Sequence, residues 1–100
     1  MNQELSPKRQ TGYCIFINTV CEGRVPIQYD ENLMPFFYST FESAQREIAE
    51  DAIERLKQFL DGERNFDDAM TVEEYILRVD LLPDGSILDE DGNKFGKKDW

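Results

Sequence analysis

The segment 39–62 constrains the fold more than any other part of the chain, because it predicts one long helix. Ser39 and Glu42 have the spacing of a capping box, in which each side chain binds the backbone N–H of the other residue. Gly62 supplies the left-handed residue that commonly ends a helix. A helix over residues 40–61 is about 33 Å long at about 1.5 Å per residue, enough to cross the sheet of a small domain.

Apolar residues of this segment recur at steps of three and four, which predicts that one broad face of the helix packs on a sheet. The stripe consists of Phe41, Ala44, Ile48, Ala52, Leu56 and Phe59, widened by Ala49, Ile53 and Leu60. Since 100 residues support only one modest core, helix and sheet belong to a single domain.

The residues before the helix predict two or three strands. Residues 13–20 are rich in aromatic and β-branched side chains, which is typical of a strand buried on both faces. A second strand runs through Val25 and Ile27, and Pro26 restricts it to an edge or a bulge. Residues 33–38 are either a short third strand or an extended entry into the helix.

The residues after the helix predict a short helical turn and then a hairpin. Residues 67–70 are the candidate turn, with Phe66 as its anchor. Apolar and polar residues alternate over residues 74–82, as in a half-buried strand. Turn sequences at 83–86 and 91–93 then return the chain to the same sheet.

We therefore predict an α+β domain over residues 12–100, with an antiparallel sheet of N-terminal strands plus a C-terminal hairpin and one long helix packed across one face. Residues 1–11 lack periodicity and are predicted to be a flexible N-terminal arm. The sequence has neither an apolar run long enough to span a bilayer nor an apolar signal core, so we expect a cytoplasmic protein without a membrane partner.

Residue types that carry out catalysis or bind metals are scarce. The chain has no His, the side chain most often used in proton transfer near neutral pH. Cys14 and Cys21 are predicted to be reduced, partly buried thiols, and two Cys cannot complete a tetrahedral zinc site. Asp84, Asp89 and Asp91 lack the spacing of a calcium-binding EF-hand and are assigned to ordinary turns. We expect no catalytic residue, no metal and no cofactor, and therefore not an enzyme.

Acidic residues dominate the chain, with 21 Asp and Glu against 11 Lys and Arg and a net charge of −10. This balance disfavours direct binding to nucleic acid and favours a basic partner. The acidity is regional, because residues 42–91 hold 16 acidic and 5 basic side chains. The candidate partner-binding residues are Glu47, Glu50, Asp51, Glu54, Asp67 and Asp68.

Two interpretations of this acidic face stay open. Carboxylates one helical turn apart lie about 5 to 6 Å from each other and repel, with partial relief from the pairs Asp51 with Arg55 and Glu54 with Lys57. The face is either a solubilising surface or a surface that imitates the phosphate rows of a nucleic acid and docks on a basic groove.

Parts of the sequence resemble small acidic accessory proteins of phages and mobile elements. The segments that carry this resemblance are FESA at 41–44, DGER at 61–64, FDDA at 66–69, EEY at 73–75 and DGSI at 84–87. In size, acidity and lack of catalytic groups the chain is similar to phage anti-CRISPR proteins, several of which block the nucleic-acid-binding surface of a CRISPR effector. That group shares no common signature, so none of its functional residues carries over to this sequence.

A second resemblance is to HicB-type antitoxins, in which strands are followed by an amphipathic helix, although the chain lacks their proline and glycine motif. Both resemblances imply inhibition by binding. The leading hypothesis is a non-enzymatic inhibitor that binds a basic protein or nucleoprotein effector, such as a CRISPR surveillance complex, in the host cytoplasm. The alternative is an antitoxin-like or regulatory subunit that neutralises a partner enzyme.

Overall fold

The computed structural model describes residues 10–98, which form an antiparallel five-stranded sheet, one long helix and one short helix. The elements are β1 (Gln10–Thr19), β2 (Gly23–Pro26), α1 (Phe41–Leu60), α2 (Phe66–Met70), β3 (Tyr75–Leu81), β4 (Ile87–Leu88) and β5 (Lys94–Phe95). The strand order is β2-β1-β3-β4-β5. The prediction of an α+β domain, with one long helix and an antiparallel sheet, is confirmed.

Strand β1 is the longest strand of the sheet and pairs on both sides. Its first part pairs with β3, from Gln10 opposite Leu81 to Phe16 opposite Tyr75, and its last part pairs with β2. Three consecutive side chains at its middle are buried, which confirms the prediction of a strand covered on both faces. Cys14 and Phe16 point to the same side and form the core with Val79 and Ile87.

Strand β1 begins earlier than its apolar pattern indicates. Gln10 and Thr11, which we assigned to the flexible arm, belong to the sheet and pair with Leu81 and Asp80. The boundary was missed because both residues are polar and exposed, and backbone pairing alone includes them. The remaining predicted arm, residues 1–9, lies outside the described residues.

The chain between β2 and α1 is extended but forms no third strand. Pro26 ends β2 at the edge of the sheet, as its missing N–H requires. Isolated bridges join Tyr29 to Pro35 and Tyr13 to Tyr38. The extended entry, one of the two predicted alternatives, is therefore the observed one.

Helix α1 has the predicted length and end, while its N-cap lies one residue later than predicted. Thr40 is extended, with φ −130° and ψ 152°, and its hydroxyl accepts the backbone N–H of Ser43. The predicted capping box of Ser39 and Glu42 is therefore wrong. At the other end Gly62 has φ 81°, and its N–H binds the carbonyl of Phe59 at 3.0 Å, as in a Schellman motif.

The apolar stripe of α1 is covered on one side of the helix only. Ala44 is fully buried and Ile48 is half-buried. Ala49, Ile53 and Leu60, which widen the predicted stripe, are exposed. The prediction that the whole stripe packs on the sheet is wrong, because at about 100° per residue Ile53 and Leu60 lie about 180° and 160° around the helix from Ala44.

The C-terminal strands β4 and β5 form the edge of the sheet opposite β2. The turns at Gly85 and Gly92 have φ values of 90° and 87°, which glycine adopts without strain. The guanidinium of Arg24 on β2 donates from Nη1 to Asp89, just after β4, at 3.1 Å. This contact joins the edge strand β2 to the far end of the sheet.

Candidate functional site

The four predicted acidic residues of α1 do not form one exposed surface. Glu50 and Glu54 are exposed, whereas Glu47 and Asp51 are half-buried. Burial raises the pKa of Tyr38 to about 12, and the negative charges of Glu47 and Asp51 contribute to the same shift. These two carboxylates therefore lie on the side of the helix nearer Tyr38, and Glu50 and Glu54 are the more exposed pair.

The two predicted acidic residues of α2, Asp67 and Asp68, are exposed in its first turn. Asp68 accepts a hydrogen bond from Nη1 of Arg64, and Nε of the same guanidinium donates to Gln58 of α1 at 2.7 Å. Gln58 lies one helical turn after Glu54, so Arg64 connects Asp68 to the acidic side of α1. We refer to Glu50, Glu54, Asp67 and Asp68 as the acidic surface.

Three of these four carboxylates, those of Glu50, Glu54 and Asp67, form no ion pair within residues 10–98. Asp68, by contrast, is paired with Arg64. Within residues 10–98, repulsion between Glu50 and Glu54, one turn apart, is therefore not offset by an ion pair to either carboxylate. A basic group of another molecule would relieve it.

Arg55 lies on the inner side of α1, where the sequence analysis did not place it. Its Nη1 lies 3.7 Å from Oε2 of Glu74, so it pairs with the segment before β3 rather than with Asp51. Ile17 and Ile27 line the adjacent cleft of about 300 Å³, which also contains both charged side chains. Three of the lining side chains are carboxylates, which makes the cleft unsuited to an anion.

Two acidic residues of the C-terminal turns accept hydrogen bonds that stabilise these turns. Asp89 is buried and accepts hydrogen bonds from the backbone N–H groups of Asp91 and Asn93 and from Arg24. Asp84 accepts from the backbone N–H of Ser86 at 2.9 Å. Over residues 10–98 the structure has no cluster of three or more Cys, Asp or Glu side chains arranged to hold a metal ion.

The two thiols have opposite environments. Cys14 is buried, its Sγ–H donates to the carbonyl of Phe36 at 3.1 Å, and burial raises its pKa to about 12. Cys21 is exposed, so the prediction that both thiols are partly buried is wrong. The Cys14 thiol stays protonated at neutral pH and is unsuited to act as a nucleophile.

An exposed apolar surface that was not predicted from the sequence lies at the end of α1. Its side chains come from the second half of α1 and from α2, and the rings of Phe59 and Phe66 join the two rows with centroids 5.3 Å apart. We refer to these residues as the apolar strip, which consists of Ile53, Leu56, Phe59, Leu60, Phe66 and Met70. The helical spacing of Ile53, Leu56, Phe59 and Leu60 is visible in the sequence, where it predicts core packing.

Comparison of the chain with protein-family models, with characterised proteins and with solved structures finds no match. Within residues 10–98, neither helix combines the length and the apolar character that crossing a membrane requires.

Proposed function

We propose that the protein is a non-catalytic inhibitor that binds a basic, nucleic-acid-binding surface of a partner protein through its acidic surface. The observation that carries this proposal is the exposure of Glu50 and Glu54, one turn apart on α1, with no ion pair to either within residues 10–98. A surface built only for stability would offset such like charges with basic neighbours.

The chemistry of the chain supports binding rather than catalysis. The sequence has no His, and the buried Cys14 thiol stays protonated at neutral pH. With a net charge of −10, the protein is attracted to basic surfaces over distances comparable with the Debye length, about 8 Å at physiological salt. A nucleic-acid-binding groove is such a surface, because clustered Lys and Arg bind its phosphates. In its concrete form the proposal is an anti-CRISPR protein, whose partner is a CRISPR effector.

An affinity-capture experiment with a charge-matched control tests the proposal. The tagged protein is incubated at low salt with lysate from bacteria that carry a CRISPR system, and captured proteins are identified by mass spectrometry. The test variant is Glu50→Gln/Glu54→Gln. The control is Glu31→Gln/Glu90→Gln, which removes the same charge from two exposed positions outside the acidic surface.

The wild-type protein and the control variant are expected to capture CRISPR effector subunits, which duplex DNA or guide RNA then elutes. The test variant is expected to bind about three- to tenfold more weakly, and this difference should vanish at high salt. Capture of a toxin would favour the antitoxin alternative. Equal capture by both variants, without displacement by nucleic acid, would overturn the proposal.

A further inference from the structure

We propose that the apolar strip is the docking site for an amphipathic helix of the partner, with large apolar side chains on one face and Lys or Arg beside them. This inference rests on the proposed function, because it specifies which part of a basic partner the protein grips. It adds a second contact surface, next to the acidic surface on the same two helices.

The apolar strip is too exposed to belong to the core. Leu60 is 78% exposed, and Ile53, Phe66 and Met70 are 53%, 54% and 55% exposed. Ile53 and Leu60 lie about 180° and 160° around α1 from the fully buried Ala44, so they face away from the buried side of the helix. Contiguous exposed apolar side chains commonly mark interaction sites in soluble domains.

The arrangement of the strip suits a helical ligand. Ile53, Leu56 and Leu60 follow one another at steps of three and four, so they form one row over about 10 Å of α1. Phe66 and Met70 form a second row on α2, and the Phe59 ring lies edge-on to Phe66 at an interplanar angle of 68°. A helix that packs on two such rows inserts its apolar ridge between them.

The charge around the strip selects a basic occupant. Residues 50–70 contain seven acidic and three basic side chains. The exposed Glu50 lies one helical turn before Ile53, and the exposed Asp61 follows Leu60 at the end of α1. Lys or Arg flanking the apolar face of a partner helix would meet these carboxylates. A second copy of this chain, or an anionic lipid surface, would instead bring like charges together.

Two synthetic peptides test the inference by fluorescence anisotropy. Both have the same Leu and Lys composition. In one the leucines recur at steps of three and four, and in the other their order is scrambled so that no apolar face forms. The variant Ile53→Ser/Leu60→Ser removes two exposed strip side chains, and Val20→Ser, at a fully exposed position beyond β1, is the control. Circular dichroism verifies that both variants stay folded.

The wild-type protein and Val20→Ser are expected to bind the amphipathic peptide at least about tenfold more tightly than the scrambled one, and Ile53→Ser/Leu60→Ser should lose that preference. Wild-type affinity in the Ile53→Ser/Leu60→Ser variant, or no binding of the amphipathic peptide, would overturn the docking site. Equal affinity for the two peptides would overturn it while leaving charge recognition, and so the proposed function, intact.

The remaining outcomes identify other occupants. A concentration-dependent dimer in sedimentation that Leu60→Ser abolishes would assign the strip to a second copy, and co-sedimentation with zwitterionic lipid vesicles would assign it to a membrane surface. Either result overturns the inference. If the protein binds the amphipathic peptide tightly, and neither salt nor Glu50→Gln/Glu54→Gln changes that affinity, the result would support the docking site on the apolar strip. It would count against the proposed function.

Discussion

Arg55 on α1 and Glu74, just before β3, form an ion pair that leaves most of the arginine unsatisfied. The Nη1 and Oε2 atoms are 3.7 Å apart, with the side chains only 15% and 13% exposed. Within the described part of the chain, Nε and Nη2 of Arg55 have no hydrogen-bond partner. Desolvation of such a guanidinium is costly, so this pair contributes little to the stability of the domain.

A double-mutant cycle at this pair tests that conclusion. Glu74→Leu alone should lower the free energy of unfolding by about 2 kcal/mol, because it leaves the Arg55 charge without its counterion. Arg55→Met/Glu74→Leu should restore or exceed wild-type stability, because methionine and leucine suit the neighbouring Ile17 and Ile27. Urea unfolding measures both values. A double variant clearly less stable than the wild type would show that the ion pair makes a net contribution to stability.

Substitutions at two alanines of α1 test which face of that helix is buried. Ala44 is fully buried and Ala49 is exposed. Ala44→Asp should destabilise the domain by several kcal/mol, about 3 or more, because it buries an unpaired charge, whereas Ala49→Asp should change stability by less than about 1 kcal/mol. Thermal unfolding followed by circular dichroism separates them. Similar losses in both variants would mean that the buried face has been assigned incorrectly.

Local signals in the sequence predict where the helices and strands of this fold lie, but they do not predict how these elements pack together. Gly62 identifies the end of α1 because a left-handed residue and a few hydrogen bonds decide it. The exposure of Leu60 depends on how far around α1 the covered face extends, which the packing of the helix on its neighbours decides. Ser39 and Thr40 are both good N-caps, and tertiary structure selects Thr40.

The candidate site, too, could be predicted from the sequence only in part. The sequence identifies Glu50 and Glu54 as acidic neighbours, because a step of four residues fixes their spacing. It does not reveal that Arg55 pairs with Glu74. That contact joins segments far apart in the chain, and the packing of α1 on the sheet determines it.

Gly12 occupies a position on β1 where no side chain fits. A Cβ atom there would lie 2.2 Å from Cζ of Phe37 and 2.5 Å from the carbonyl oxygen of Tyr38. The Phe37 ring can shift, but the Tyr38 carbonyl is held by its hydrogen bond from the N–H of Tyr13 at 2.8 Å. The close approach of two backbones therefore requires glycine.

Gly12→Ala is expected to lower the free energy of unfolding by about 2 kcal/mol or more through overpacking. Gly96→Ala is the matched control, because its added Cβ would meet Ser86 at 3.8 Å, an ordinary contact. The control should change stability by less than about 1 kcal/mol. Guanidinium unfolding compares the two, and an equally stable Gly12→Ala variant would contradict the observed packing of residues 36–38 on β1.

Asp89 is the buried carboxylate that holds the β4–β5 turn together and links it to β2. Its Oδ1 accepts the backbone N–H groups of Asp91 at 2.9 Å and Asn93 at 2.8 Å. Its Oδ2 accepts from the side chains of Asn93 and Arg24, each at 3.1 Å. Burial by itself raises the pKa of Asp89, but the hydrogen bonds from Asn93 and Arg24 outweigh it and hold that pKa below its usual range.

A lowered pKa in the folded state makes stability depend on pH in a defined direction. The unfolded chain protonates Asp89 at about 3.9, so the stabilisation by the carboxylate is present above that pH and is lost as the pH falls through the lower pKa of the folded state. Asp89→Asn should lower the free energy of unfolding at pH 7 by about 2 kcal/mol, because the amide cannot accept all four hydrogen bonds. Its urea midpoint should also fall less than that of the wild type between pH 5 and pH 3. Glu90→Gln, at the exposed neighbouring position, is the control and should follow the wild-type curve. An Asp89→Asn curve parallel to the wild-type curve over this range would show that other carboxylates govern the acid sensitivity of the domain.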